Sequence, residues 1–377
     1  MIIMMDIIPS NFWWSRITGP NFIVNSVARS LSEGKSVFLL IPDDLPWRAE
    51  MRAIIENSYR QDYGNSNVYF SPVDVSEECK EELPGDYIIR TFAKKNQTGY
   101  RQGSSQSIQS YIINKGILNN RIIWVKGLTN QSVKVWKSFC EDFNSSSLQD
   151  GLFVIEINEA VKCIENDHIS VINYSSFVSP YDVQLFSRYL LFDDHNYDGR
   201  WKEYLSILIS KLCENDGEIA ECFINNYNLK KSSLIEMIAQ VADQPEFGRR
   251  GASQESDNLL RYARQNDDGE IYKRIWAAQL QYLFPIVENI RISIITKVGN
   301  QISPYLHEVN QFGESVTDVL DLEISSLDYL VRRHLNDSML KGRTKLLREC
   351  RNKLAHRSIC DLNEIDALMK MTDVLNQ

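Results

Sequence analysis

Residues 351–356 read RNKLAH. An arginine, an asparagine and a histidine fall within six positions of a segment whose apolar spacing is helical. At about 100° per residue, Leu346, Cys350 and Leu354, joined by Leu347, form one apolar stripe. Arg348, Asn352 and His356, spaced by four, form an adjacent polar stripe. Arg351 lies on its flank, and the small Ala355 leaves room beside the imidazole. A guanidinium that grips a phosphate in two places and an imidazole that moves a proton are the parts of metal-free phosphodiester cleavage. RNA supplies its own nucleophile, the 2′-OH. One such helix carries one histidine, so a base and an acid together call for a second copy across a two-fold axis. The plainer alternative is the polar edge of a packed helix.

The surroundings favour an anion. Between 332 and 357, Arg332, Arg333, Lys341, Arg343, Lys345, Arg348, Arg351, Lys353 and Arg357 face only Asp337 and Glu349. The whole chain of 377 residues carries a net charge of −9. One basic segment in an acidic protein suits local phosphate binding, with a solvated helix face as the alternative.

RNKLAH also matches the R-x4-H form of the HEPN motif. Upstream, IWAAQLQYLFPIVENIR and FGESVTDVLDLEISSLDYLV resemble the helices that precede this motif in bacterial HEPN-type C-terminal domains. The resemblance covers roughly residues 265–377. It implies an all-α bundle that forms a homodimer through its motif helices, and an RNA-binding, metal-independent endoribonuclease of toxin or anti-phage defence systems. By the same resemblance Arg351 and His356 are the catalytic positions and Asn352 the supporting one. Arg348, Lys353 and Arg357 would contact RNA, and Glu323 of DLEI would be the acidic partner on an earlier helix. The alternative within the family is a non-catalytic scaffold whose N-terminal domain binds a partner protein.

The elements that must hold this helix differ along the chain. Short apolar, β-branched runs at 36–42, 67–75, 121–128, 152–157 and 169–175 read as strands buried on both faces. Helical stretches at 47–60, 104–115 and 131–143 lie between them, which predicts an α/β domain with a mainly parallel sheet. The opening MIIMMDIIPSNFWW reads as a first strand or a tucked-in terminus. From about 180 strand signals stop. Helices are expected at 179–192, 201–214, 232–242, 269–302 with a kink at Pro285, 315–335, 341–357 and 362–375, the last capped by Asp361. QPEFGRRGASQ (244–254) reads as a linker or exposed loop. The expected organisation is an α/β domain over 1–178, a helical segment over 179–243, a linker over 244–268 and a HEPN-like bundle over 269–377.

Strand order and spacing over roughly 20–240 resemble the AAA/STAND-type P-loop ATPases, without the residues that handle nucleotide. EGKS (33–36) imitates the end of a P-loop, but Arg29 stands where the first glycine belongs and the tetrapeptide precedes its strand. Gly34 is expected to end a helix instead. The turn that does follow the first strand, PDDLPW (42–47), has two acids and no lysine. RIIWVKGL ends on Lys126 with no carboxylate for magnesium. The resemblance therefore implies a degenerate P-loop-like domain serving as a sensor or as a docking site for a protein partner or activator.

Glu156 and Glu159 read as strand-end surface carboxylates, and His168, His195, His307 and His334 as isolated histidines. Seven cysteines are dispersed without a C-x-x-C or zinc spacing and read as buried, reduced thiols. No cofactor or metal is expected. No long apolar run and no signal-peptide pattern is seen, so the expected setting is cytoplasmic, away from membranes.

Overall fold

Runs rich in Val, Ile, Leu and Phe are buried on both faces by a parallel sheet with helices around it, as Ser36–Ile41, Arg121–Lys126 and Leu152–Asn158 are here, whereas the expected strand at 67–75 is a largely exposed edge strand. In the computed structural model, all five expected runs become strands. The structure describes residues 8–63, 67–78, 82–101, 105–143, 145, 147–231, 233–248, 250, 258–308 and 316–375. The chain divides into two compact units, Met1–Asp182 with Asn215–Ile219, and Val183–Glu214 with Ala220–Gln377.

The first unit holds helices α1 (Pro9–Arg16), α2 (Thr18–Ser32), α3 (Arg48–Asp62), α4 (Val75–Glu78), α5 (Pro84–Phe92), α6 (Ile108–Asn114) and α7 (Ser132–Phe143). Its strands are β1 (Ser36–Ile41), β2 (Tyr69–Asp74), β3 (Arg121–Lys126), β4 (Leu152–Asn158) and β5 (Ile169–Asn173). Every pairing is parallel, in the order β2-β3-β4-β1-β5. Phe38 pairs with Ile155 and Ile123 with Phe153 in register, which stacks the core of adjacent strands. Phe139 and Phe143 of α7 meet Phe153 edge-on, with centroids 6.0 and 5.0 Å apart. Burying each such ring contributes about 1.5–3 kcal/mol.

The opening segment, expected as a first strand or a tucked-in terminus, is helical from Pro9, and a second helix follows at Thr18–Ser32. Pro9 takes a first-turn helical position, where its fixed φ fits and its missing N–H is not needed. Residues 1–7 lie outside the described residues.

The second unit carries the helices α8 (Pro180–Leu190, joining it from Val183), α9 (Gly199–Cys213), α10 (Gly217–Asn226, from Ala220), α11 (Leu234–Ala242), α12 (Leu259–Arg264), α13 (Asp268–Ile302), α14 (Ile324–His334), α15 (Ser338–Ala355) and α16 (Leu362–Leu375). Most of 179–243 thus packs with this unit rather than standing apart. α13 is its axis and packs against α9, α14, α15 and α16. Its buried line runs through Ile271, Ile275, Ala278, Leu283, Val287, Ile290 and Ile294, while Phe284 is exposed. Helical structure runs on through Pro285.

The expected linker is partly structured. Arg264 donates to the carbonyls of Ala242, Phe247 and Arg250, and Leu259 and Leu260 are buried. Residues 249 and 251–257 of that stretch lie outside the described residues. Among the described residues no helix is long and apolar enough to cross a membrane.

Candidate functional site

Helix α15 begins where Asp337 accepts a bond from the Leu340 N–H at 2.9 Å. Its buried line is Leu340, Thr344, Leu347, Cys350 and Leu354. Leu346, expected in that line, is only half-buried. The polar Thr344 takes a core position because α14 brings a carboxylate to meet it.

That carboxylate is Asp328, fully buried on the apolar face of α14. Its Oδ1 accepts from the Thr344 hydroxyl at 2.8 Å and from Arg332 Nε at 2.8 Å. Arg348 Nη1 stands 2.8 Å from Oδ2 as an ion pair without the directed geometry of a hydrogen bond. A buried charge without partners would be strongly unfavourable. Arg348, expected on RNA, therefore compensates an internal carboxylate and locks α15 to α14.

The end of α15 is built around a left-handed residue. His356 is the C-cap, and its N–H reaches the carbonyls of Asn352 and Lys353. Arg357 follows at φ 57°, and the Ser358 N–H returns to the Lys353 carbonyl at 2.8 Å. The Leu354 carbonyl is taken by the indole N–H of Trp276 on α13, at 2.7 Å. Arg357 lies over that indole, 5.9 Å from the ring centroid. With its backbone so fixed, His356 is exposed, as is Asn352 one turn before it. Neither side chain has a hydrogen-bond or ionic partner among the described residues, which leaves an imidazole and a carboxamide open to solvent.

Arg351 points elsewhere. Its Nη2 makes a long contact, 3.4 Å, with Oε2 of Glu323 at the N-cap of α14. The two lie in a cleft of about 320 Å³ with Glu288, Arg291 and Asp321. Arg291 shapes it by binding Glu288 and the carbonyls of Leu320 and Leu322. The structure thus brings Arg351 and Glu323 together, in a cleft with three carboxylates and two guanidiniums.

Lys353 places its Nζ 2.6 and 2.7 Å from the two oxygens of Glu364. The Glu364 carboxylate raises the Lys353 ammonium above its usual range. Glu364 also accepts from the Asp361 N–H, and Asp361 from the Glu364 N–H, closing a capping box at the start of α16 as expected from Asp361. Of the expected RNA contacts, Arg357, Asn352 and His356 face solvent, and Lys353 holds α16.

In the first unit, β1 and β4 send their chains in opposite directions along the sheet, and the crevice at their carboxyl ends is where open α/β sheets bind ligands. Glu156 of β4, expected on the surface, is buried there. It accepts from Arg48 Nε at 2.8 Å, Arg52 Nη2 at 2.8 Å and the Trp124 indole at 2.7 Å. Burial raises its pKa, but the Arg52 hydrogen bond and the charges of Arg48 and Arg52 outweigh that and leave it lowered. Both arginines come from the first turns of α3, where a bound anion would sit. Glu159 holds Ser175 instead. Lys126 pairs with Asp74 at 3.2 Å. Gly34, at φ 80°, ends α2 as expected: its N–H reaches Leu31 and the Lys35 N–H reaches Ser30.

Sequence reasoning passed over Asp328, Trp276 and Glu364. Asp328 had a signal, an acid on the apolar stripe of Ile324, Leu327 and Val331. Glu364 had one in the D-x-x-E spacing. Trp276 had none, because its partner is a carbonyl 78 residues away.

No protein-family model matches the chain, and no curated protein matches it in sequence.

Proposed function

We propose that this protein is a prokaryotic defence or toxin-type effector of the HEPN kind, which binds RNA through its second unit and cuts it across a homodimer. The observation that carries the reading is the unpartnered, exposed pair His356 and Asn352, at the end of a basic helix on which Arg348 and Lys353 are tied internally while Arg357 faces solvent. A solvent-facing imidazole is free to take the 2′-OH proton or protonate the leaving oxygen. Arg351 is long-bonded to an exposed Glu323, a contact an incoming phosphate can replace at little loss, and a guanidinium there would stabilise the phosphorane charge. Exposed Tyr329 and Met339 on α14 and α15 leave apolar surface on the motif-bearing helices for a second copy, which would supply the second histidine.

The first unit acts, in this reading, as a degenerate ATPase-like sensor. Its parallel strand order and its self-satisfied crevice both support that role.

The test is RNA incubated with the full-length protein and no added metal. Wild type is expected to leave 2′,3′-cyclic phosphate ends, and His356→Ala none, with melting temperature and oligomeric state unchanged. Equal behaviour of the two proteins on RNA would favour the second reading, a non-catalytic scaffold. A mostly apolar cleft of about 550 Å³ in the first unit, lined by Leu83, Tyr100, Val135 and Phe139, favours that scaffold reading as a seat for a partner protein.

A further inference from the structure

We propose that Cys350, Cys360 and Glu364 form a binding site for a divalent cation of the zinc class, which displaces Lys353 Nζ from Glu364 when it binds. The two sulfurs and a carboxylate oxygen all lie within 4.8 Å of one another. In a tetrahedral zinc site, bonds of about 2.3 Å to sulfur and about 2.0 Å to oxygen place two sulfurs about 3.8 Å apart and sulfur and oxygen about 3.5 Å apart. With all three donors already within 4.8 Å, a contraction of at most about 1.3 Å closes the site. Two thiolates and one carboxylate select zinc over magnesium or calcium, and three protein ligands leave one position for water.

The frame is already set. Cys350 comes from α15, while Cys360 and Glu364 come from the far side of the turn and the start of α16. Gln279 of α13 binds both backbone groups of Cys360, accepting from its N–H at 2.7 Å and donating to its carbonyl at 3.0 Å. Such outer contacts orient a ligand before the metal arrives. Cys360 also borders a cleft of about 390 Å³ with Asp361, Leu362 and Asn363.

Charge is conserved on exchange. With both sulfurs as thiols, the Glu364 carboxylate and the Lys353 ammonium balance in the metal-free cluster. On binding, two sulfur–metal bonds form, two S–H bonds break and both protons leave to water. A dication, two thiolates, one carboxylate and the nearby ammonium again sum to zero. Lys353 is the cation that stands in for the metal.

The test uses the full-length protein, reduced and stripped with chelator, titrated anaerobically with Co²⁺. One equivalent is expected to produce a near-ultraviolet thiolate-to-cobalt band and tetrahedral visible bands, both bleached by Zn²⁺. Cys360→Ser and Glu364→Gln are each expected to weaken binding at least tenfold; Glu364→Gln keeps the result decisive if the cysteine variant does not fold. Cys163→Ser, a half-buried thiol in the first unit, should change nothing. Amine labelling of Lys353 should rise with metal. Absence of the charge-transfer band overturns the site, as does a band indifferent to Cys360→Ser and Glu364→Gln. Unchanged Lys353 labelling with an intact band overturns the displacement. The cobalt readout involves no RNA, so it stands or falls apart from the cleavage reading.

Discussion

The Trp276 indole donates to the Leu354 carbonyl at 2.7 Å, so the long axial helix holds the end of α15 from outside it. Helix ends leave carbonyls without partners, and this one is met from 78 residues away. Trp276→Phe keeps most of the ring and removes the N–H. It should lower stability by about 1 kcal/mol, read as a shift in the denaturant midpoint at constant slope. If RNA is cut as proposed, the same variant should lower the cleavage rate through a looser His356, while affinity for RNA changes little.

Arg357 adopts φ 57°, a conformation unfavourable for a residue with a Cβ. Arg357→Gly removes that strain and also removes the guanidinium over Trp276. The strain, about 1–2 kcal/mol, exceeds an exposed cation–π contact of about 0.5–1 kcal/mol, while the more flexible unfolded chain returns part of the difference. The expected result is a midpoint unchanged or raised slightly. A loss above about 1 kcal/mol would show that the guanidinium matters more than the backbone.

Asp328 is the buried anion of the second unit. Asp328→Asn leaves Arg332 and Arg348 facing a neutral amide. Both arginines are partly in water, which softens the effect to about 2–3 kcal/mol. Arg348→Ala should likewise lower stability, with a smaller effect on RNA affinity than Arg357→Ala. Equal effects of the two arginine variants on affinity would return Arg348 to the RNA-contacting set.

Glu156 makes stability depend on acid. Its folded pKa lies below the ordinary 4.5, so the folded state holds the carboxylate charged where the unfolded chain would protonate it. The stabilisation is present above about pH 4.5 and is lost as pH falls through the lower folded value. Midpoints measured from pH 7 to pH 3 should fall more steeply for wild type than for Glu156→Gln. At pH 7 the variant should be weaker by about 2–4 kcal/mol, because Arg48 and Arg52 lose their charge partner.

Much of the framework was legible. All five strands begin and end within two residues of their apolar runs; burial on both faces accounts for β1, β3 and β4, but not for the edge strand β2, which is mostly exposed. Gly34 was read correctly from its place before β1 rather than after it. Of the two readings of the opening segment, the strand fails over its described part, where Pro9 already marks a helix start, while Trp13 and Trp14 are fully buried. That residues 351–355 lie on a helix was readable from period alone. Which cations are free was not, since that depends on carboxylates arriving from α14 and α16. Arg348 and Asn352 look equivalent on a helical wheel; only Asp328 separates them.

Glu156 is joined to its own backbone, so the negative charge between Arg48 and Arg52 has no off-rate and no concentration dependence. A phosphate in that position could come, be cleaved and go, giving a clock. A tethered carboxylate gives a fixed setting. If the unit is a sensor as proposed, a change of state at neutral pH would come by touch from another molecule rather than by exchange of a small anion.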